Sequence, residues 1–235
     1  MRTVKIGSLV FDFDLYPRTD VDSQHVHYIR EAIEAGEQMP ALVVERKTMR
    51  IVDGFHRAKA YLSLYGPDHE VDVVEKTYRS EADLLEDAIR YNARHGRTLT
   101  RCDRARCAIL AERHGLSIDR AAQAMGLTVE TVTKLRAERV GKLRVYHGGT
   151  PKRGKRGKPI EIPIKRTIKH MAGKELTPEQ AEANKRLSGM EQLFYVNQLI
   201  LLIENDLLDR SNEKLLAGLA RLRELLDGVV EVNAA

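Results

Sequence analysis

Residues 51–61 read IVDGFHRAKAY. Two β-branched residues run into Asp53 and Gly54, and Phe55, His56, Arg57 and Lys59 follow, with Ala58, Ala60 and Tyr61 between and after them. A strand, a tight glycine turn and the opening of a helix all fit inside this stretch. Such a helix start presents backbone N–H groups without helical partners, at the positive end of the helix dipole. Three readings follow: a catalytic site, an anion pocket, or a plain helix start in which Asp53 caps and Arg57 pairs with an acid.

Working outward, residues 1–90 alternate strand-like and helix-like patterns. TVKIGSLVF alternates as a strand, and SQHVHYIREAIEAG carries an amphipathic helix closed by Gly36. ALVVE and MRIVDG are short β-branched runs around a turn, and Gly66-Pro67 stops the helix that begins after Gly54. EVDVVEKTY reads as a further strand, and SEADLLEDAIRYNARHG as a helix opened by a Ser80–Asp83 capping pair. Residues 97–140 are helical, broken at His114-Gly115 and at Gly126. The fold class is therefore α+β: a small α/β domain (1–90), an all-helical domain (91–140), a linker or arm (141–175) and a C-terminal helical hairpin (176–230).

The chain has 235 residues, no Trp and only 12 Phe plus Tyr, so its cores rest on Leu, Val, Ile and Ala. Its two cysteines, Cys102 and Cys107, match neither a disulfide framework nor a CxxC pair. The first residues lack the apolar run of a signal peptide, and LILLI at 199–203 is far too short for a bilayer span. A cytoplasmic, nucleoid-associated protein is expected. Residues 141–170 hold ten Lys or Arg against one acid, a net +9, whereas the remaining 205 residues carry 29 bases against 33 acids, a net −4. All the excess positive charge sits in one tract, which points to a polyanion partner.

Residues 118–137, IDRAAQAMGLTVETVTKLRA, have the spacing of a helix-turn-helix. Ala122 suits the helix crossing, Gly126 the turn, and Leu127, Val132 and Leu135 the packing face. Thr128 would cap the second helix, turning Thr128, Val129, Glu130, Thr133 and Lys134 toward a major groove. Arg120, Arg136 and Arg139 on the same helices, and Lys152, Arg153, Lys155 and Arg156 in the arm, are further candidates for DNA contact. Each phosphate neutralised steepens the salt dependence of binding by about 0.9 log units per log unit of salt. The plainer alternative is a helical hairpin in a bundle beside a solvated linker.

With that unit placed, the N-terminal residues take on a family likeness. LYPR (15–18), HVHYIREAIEAG, MPALVVE (39–45) and IVDGFHRAKA (51–60), in that order, resemble the ParB/sulfiredoxin-like domain. AIRYNARHGRTLTRCDRARCA (88–108) resembles the segment that joins this domain to the helix-turn-helix in ParB-type proteins, and its NARHG wording is closest to StrR-type transcriptional activators. The likeness covers roughly residues 1–140. In ParB proteins the motif G-E-R-R-x-R-A opens a helix around a nucleoside triphosphate. Gly54 matches its Gly, Phe55 replaces the Glu, His56 and Arg57 the paired arginines, Lys59 the third, and Ala60 the closing Ala. The family's second motif, E-N-x-x-R, falls on Tyr91, Asn92 and His95.

The resemblance thus implies a phosphate cradle of Asp53, Gly54, His56, Arg57, Lys59, Asn92 and His95, with CTP and magnesium as the cofactors if any is retained. Tyr91 removes the carboxylate associated with magnesium, Met39 replaces a common Gln, and Phe55 replaces the sulfiredoxin cysteine, which excludes reductase chemistry. Kinases of this fold carry D-G-x-H-R, which Asp53, Gly54, His56 and Arg57 match, so an ATP-dependent small-molecule kinase is one alternative. No catalytic residue and no metal site is assigned: His25 and His27 face different sides of a helix, and no zinc or calcium spacing occurs.

Residues 190–229 are too apolar for a two-helix hairpin to bury alone, and Leu215, Leu219, Leu222, Leu226 and Val229 repeat at alternating spacings of four and three. A homodimer through these helices is expected, placing two helix-turn-helix units on a palindromic duplex site. The functional expectation is a ParB-like, sequence-specific DNA-binding protein acting in transcription. The partition alternative is a CTP-dependent clamp working with a Walker-type ATPase.

Overall fold

A computed structural model describes residues 2–94, 97–144, 146–147 and 155–230. The chain forms two units, Met1–Gly189 and Met190–Ala235.

The first unit opens with β1 (Arg2–Lys5), α1 (Ser23–Glu34), β2 (Leu42–Glu45), β3 (Ile51–Asp53), α2 (Phe55–Tyr65), β4 (Glu70–Lys76) and α3 (Glu81–Arg94). The sheet order is β1-β4-β2-β3, with β4–β2 parallel and the other two pairs antiparallel. β2 is buried along its whole length, as its central place demands, whereas β4 alternates buried Val71 and Val73 with exposed neighbours. Glu45 closes the β2–β3 turn by accepting from the Lys47 and Thr48 amides and the Thr48 hydroxyl. Asp22 caps α1 by accepting from the amides of Gln24 and His25. Val4, Ile6, Leu42, Val44, Ile51, Phe55 and Ala58 pack on one another in the core that seats α2 against the sheet.

Three helices follow: α4 (Arg101–Arg113), α5 (Ile118–Met125) and α6 (Val129–Arg139). Each begins at a hydroxyl cap, Thr100, Ser117 and Thr128, and Thr100 closes a full capping box with Asp103. Their buried faces share one cluster with the N-terminal elements: Leu84, Leu85, Ala88 and Ile89 of α3 pack among Cys107, Leu110, Ala121, Met125 and Val132. The helical segment is therefore welded to the α/β segment through α3.

The tract read as a linker or arm contains strands. β5 (Val140–Leu143) starts where α6 ends and lies between β8 (Ile160–Pro163), antiparallel, and β9 (Glu175–Leu176), parallel. Two short strands, β6 (Tyr146–His147) and β7 (Lys155–Arg156), pair antiparallel between them in sequence. α7 (Pro178–Arg186) then docks by buried Asn184, which accepts from the Lys165 amide at 2.9 Å and donates to the Pro163 carbonyl at 3.0 Å.

The first part of the hairpin expected over 176–230 is itself divided into two helices. After α7, Leu187 is extended and the chain resumes as α8 (Gln192–Glu204), with the poor helix formers Ser188 and Gly189 at the break. α8 and α9 (Glu213–Val230) make up the second unit, separated by a turn in which Asp209 accepts from Ser211 and Asn212 caps α9. α8 exposes Leu193, Val196, Leu201 and Ile203, and α9 exposes Leu216, Leu225, Leu226 and Val229. Among the described residues, no helix is long and apolar enough to cross a membrane.

Candidate functional site

The α2 start carries most of the residues read in the sequence as a phosphate cradle. Gly54 turns the chain at φ 97°, ψ 21°, and caps α2 without any side-chain hydrogen bond, so the first amides of the helix keep their donors free of a side-chain cap. A Cβ at this position would stand 2.5 Å from Leu42 Cδ2. A cavity of about 500 Å³ opens over this helix end, and Asp53, Gly54, His56, Arg57 and Asn92 all line it. Lys59 does not: its ammonium sits 4.5 Å over the Phe11 ring, a cation–π contact on another side of α2. His95 lies outside the described residues.

Arg57 is engaged within the protein. It donates to Asp53 Oδ2 at 2.8 Å and to the carbonyls of Pro40 and Ala41 at 2.5 and 3.2 Å, pinning the strand entry to the helix start. This realises the ion pair of the plain reading. Phe55, at the position of the glutamate in the ParB motif, packs in an aromatic group, stacked on Tyr16 at 4.2 Å and edge-on to Phe11 and Phe13.

His56 Nε2 accepts from the Asp22 amide at 3.3 Å and stands 3.4 Å from the Tyr16 hydroxyl, with the His25 ring centroid 4.9 Å away. Burial, then the nearby His25 and Arg18, pull the His56 pKa down to about 4, so the ring is neutral at pH 7. Its tautomer follows from the Asp22 bond, which places the proton on Nδ1.

Three basic wall residues are not part of the cradle read from the motifs: Arg18, His25 and Arg97. Arg18 is buried, donating to Asn92 Oδ1 at 3.2 Å and to the Arg97 carbonyl at 2.5 Å, and Arg97 pairs with Asp22. The signal for Arg18 was present in LYPR, since an arginine beside buried Leu15 and Tyr16 must find partners. Asp53 is the only acid on the described wall and is held by Arg57, and among the described residues no cluster of three His, Cys, Asp or Glu could hold a metal. Magnesium does not fit this donor set.

The second candidate surface is α6. The chain crosses from α5 through Gly126, at φ 67°, and Leu127 N donates to the Ala122 carbonyl at 2.9 Å. Ala122, Val132 and Leu135 are buried, while Thr128, Val129, Glu130, Thr133 and Lys134 are all exposed. The three arginines assigned with them are differently placed. Arg120 binds Asp83 and Glu86 of α3, and Arg136 bridges Glu112 of α4 and Glu161 of β8. Arg139 is only 5 % exposed. Arg120 and Arg136 hold the unit to its surroundings, because an arginine beside partly buried carboxylates pairs before it reaches solvent. Lys152 and Arg153 lie outside the described residues, and Lys155 and Arg156 form β7 with their side chains outside the described set.

No protein-family model matches the chain. Among characterised proteins it is 35 % identical over 136 residues to the transcriptional regulator NovG of Streptomyces niveus, a match spanning 57 % of this chain and 41 % of that protein. The resemblance to ParB-like regulators holds. A possible regulatory protein of the streptomycin biosynthesis operon of Streptomyces griseus is 33 % identical over 116 residues, spanning 48 % of this chain and 32 % of that protein. The chain thus spans less than half the length of either relative.

Among solved structures, similarity extends to the C-terminally truncated chromosome-partitioning protein ParB of Caulobacter crescentus on its centromeric parS site (TM-score 0.40, 18 % identity, 57 % of this chain and 70 % of that one). The same protein with CTP-γ-S gives a TM-score of 0.35 at 19 % identity, over 57 % of this chain and 75 % of that one.

Proposed function

We propose that the chain is a transcriptional regulator that reads double-stranded DNA through α6 and does so as a homodimer. The observation that carries this reading is the division of α6: Val132 and Leu135 are buried, and the five residues assigned to the groove are all exposed. A relative described as a transcriptional regulator matches 57 % of the chain, which supports a role in transcription over one in partition. Thr and Lys reach base edges or phosphates, and Glu130 selects a cytosine amino group in a surface that otherwise attracts DNA. Footprinting of genomic fragments retained by the full chain tests this. The wild type is expected to protect a two-fold symmetric site, and Thr128→Ala and Lys134→Ala are expected to lose it while keeping the fold. Normal footprints from both variants would remove α6 as the reading element.

The dimer is proposed through α8 and α9. A helix apolar on nearly every side is stable only when covered, yet α8 (QLFYVNQLILLIE) carries no buried residue. A second copy supplies the same apolar surface and, by symmetry, sets two α6 helices on one palindrome.

For the cavity over α2, the uncapped amides, the tight glycine and the neutral His56 beside Arg18 favour a phosphate group without magnesium. CTP is the proposed nucleotide by resemblance. The kinase reading has less support, because the Asp53 carboxylate it needs as a base is bound to Arg57 at 2.8 Å. Titration of CTP, ATP and GTP, with and without DNA, tests the cavity. CTP binding independent of magnesium is expected, and ATP turnover lost in His56→Ala would favour the kinase instead.

A further inference from the structure

A second cavity, of about 430 Å³, lies across Arg18 and Arg97 from the α2 cradle. Its walls come from the loop before α1, the start of α4, the last residue of α6 and the segment after β8, all within the first unit. Six basic and three acidic side chains line it. Each acid already has its partner: Asp22 takes Arg97, Asp20 takes Lys165 at 3.7 Å, and Asp103 accepts from Thr19 and Thr100.

Arg139 is the exception. It is 95 % buried by its 5 % exposure, its backbone carbonyl accepts from the Ile164 amide at 2.8 Å, and its Nε and Nη1 find no hydrogen-bond partner among the described residues. Burying two guanidinium donors without partners is costly. Burial and the neighbouring Arg101 both push its pKa down, so its charge is held against its surroundings. The start of α4 faces the same space, with Thr100, Arg101 and Cys102 on the wall, adding the positive end of a thirteen-residue helix.

We propose that this cavity binds a small phosphate-bearing anion, which Arg139 contacts directly. Tetrahedral phosphate accepts from several donors at once, and the buried Nε and Nη1 of Arg139 are donors left unpaired by the described residues. The volume falls in the range of small-molecule pockets, larger than one phosphate needs, which favours a phosphate ester of sugar size over the free ion. The site is separate from the α2 cradle, where Arg57 is the engaged arginine, and from the exposed reading face of α6.

Thermal melting of the full chain at fixed ionic strength tests the assignment, with ribose 5-phosphate, inorganic phosphate and ribose as probes. Both phosphates are expected to raise the melting temperature of the wild type, and ribose is not. The response is expected to vanish in Arg139→Met, which should melt at or above the wild type in chloride because it removes a buried unpaired charge. Arg166→Glu, on the exposed rim, is expected to need about tenfold more of either phosphate, the loss of one charge-assisted contact; it decides the matter if Arg139→Met fails to fold. A stronger response to ribose 5-phosphate assigns an ester, and equal responses assign the inorganic ion, both within the proposal. No response in the wild type, an unchanged response in Arg139→Met and Arg166→Glu, loss of the response in Arg57→Met alone, or displacement of the phosphate by duplex DNA would each overturn it.

Discussion

At Gly54 a left-handed backbone and a lack of room act together. Any side chain there adopts φ near 97° and meets Leu42. Gly54→Ala is expected to cost about 2–4 kcal/mol, the sum of the αL penalty and a core overlap, read as a lower urea midpoint. His56 gives a pH signature. Its folded pKa of about 4 lies below the ordinary 6.5, so the unfolded chain binds the extra proton between them. The stability His56 contributes is therefore complete above about pH 6.5 and is lost as pH falls toward 4. The urea-midpoint difference between wild type and His56→Gln should shrink across that window, and a flat difference would show that His56 is not held neutral. Bound phosphate acts in the opposite sense, raising the His56 pKa, which imidazole NMR resolves.

At the scale of elements, the division of labour on α5 and α6 is testable through salt. Lys134 is exposed, so its removal should reduce the slope of log affinity against log salt by about 0.9 in any binding that survives. Arg120 is bound to Asp83 and Glu86, so Arg120→Ala should leave that slope unchanged while loosening α5 from α3. An equal loss of slope in both variants would place Arg120 on DNA. Much of this unit was legible in the sequence, because Gly126, Ala122 and the Thr128 cap are local signals whose meaning depends on neighbours three or four residues away. The three-stranded sheet was not. Ile160, Ile162 and Ile164 do alternate, but Pro163 and the surrounding bases look like a linker, and the partner strand β5 is about twenty residues upstream. The ion pairs of Arg120 and Arg136 were hidden for a related reason: charge is visible in a sequence, but the carboxylates that absorb it come from distant elements. The same holds for Lys59, whose place over Phe11 depends on the N-terminal segment folding back.

Over the whole molecule, one cluster of buried side chains spans α3 through α6, so α6 is carried on the same body as the α/β segment that holds the α2 start. The second unit leaves Leu201, Ile203, Leu225 and Val229 in solvent. Leu201→Glu with Leu225→Glu should convert a dimer to a monomer by sedimentation equilibrium, and DNA affinity should fall by about a hundredfold or more as the second half-site is lost. A monomeric wild type would leave those faces to another partner. The central claim, reading of DNA sequence by the exposed face of α6, is tested most directly by selection from a random duplex pool with the full chain and with the Thr128→Ala/Lys134→Ala double variant. The account predicts that the wild type enriches a two-fold symmetric motif with half-sites about one helical turn, or a multiple of it, apart, and that the double variant does not. No enriched motif, or the same motif from both proteins, would contradict it.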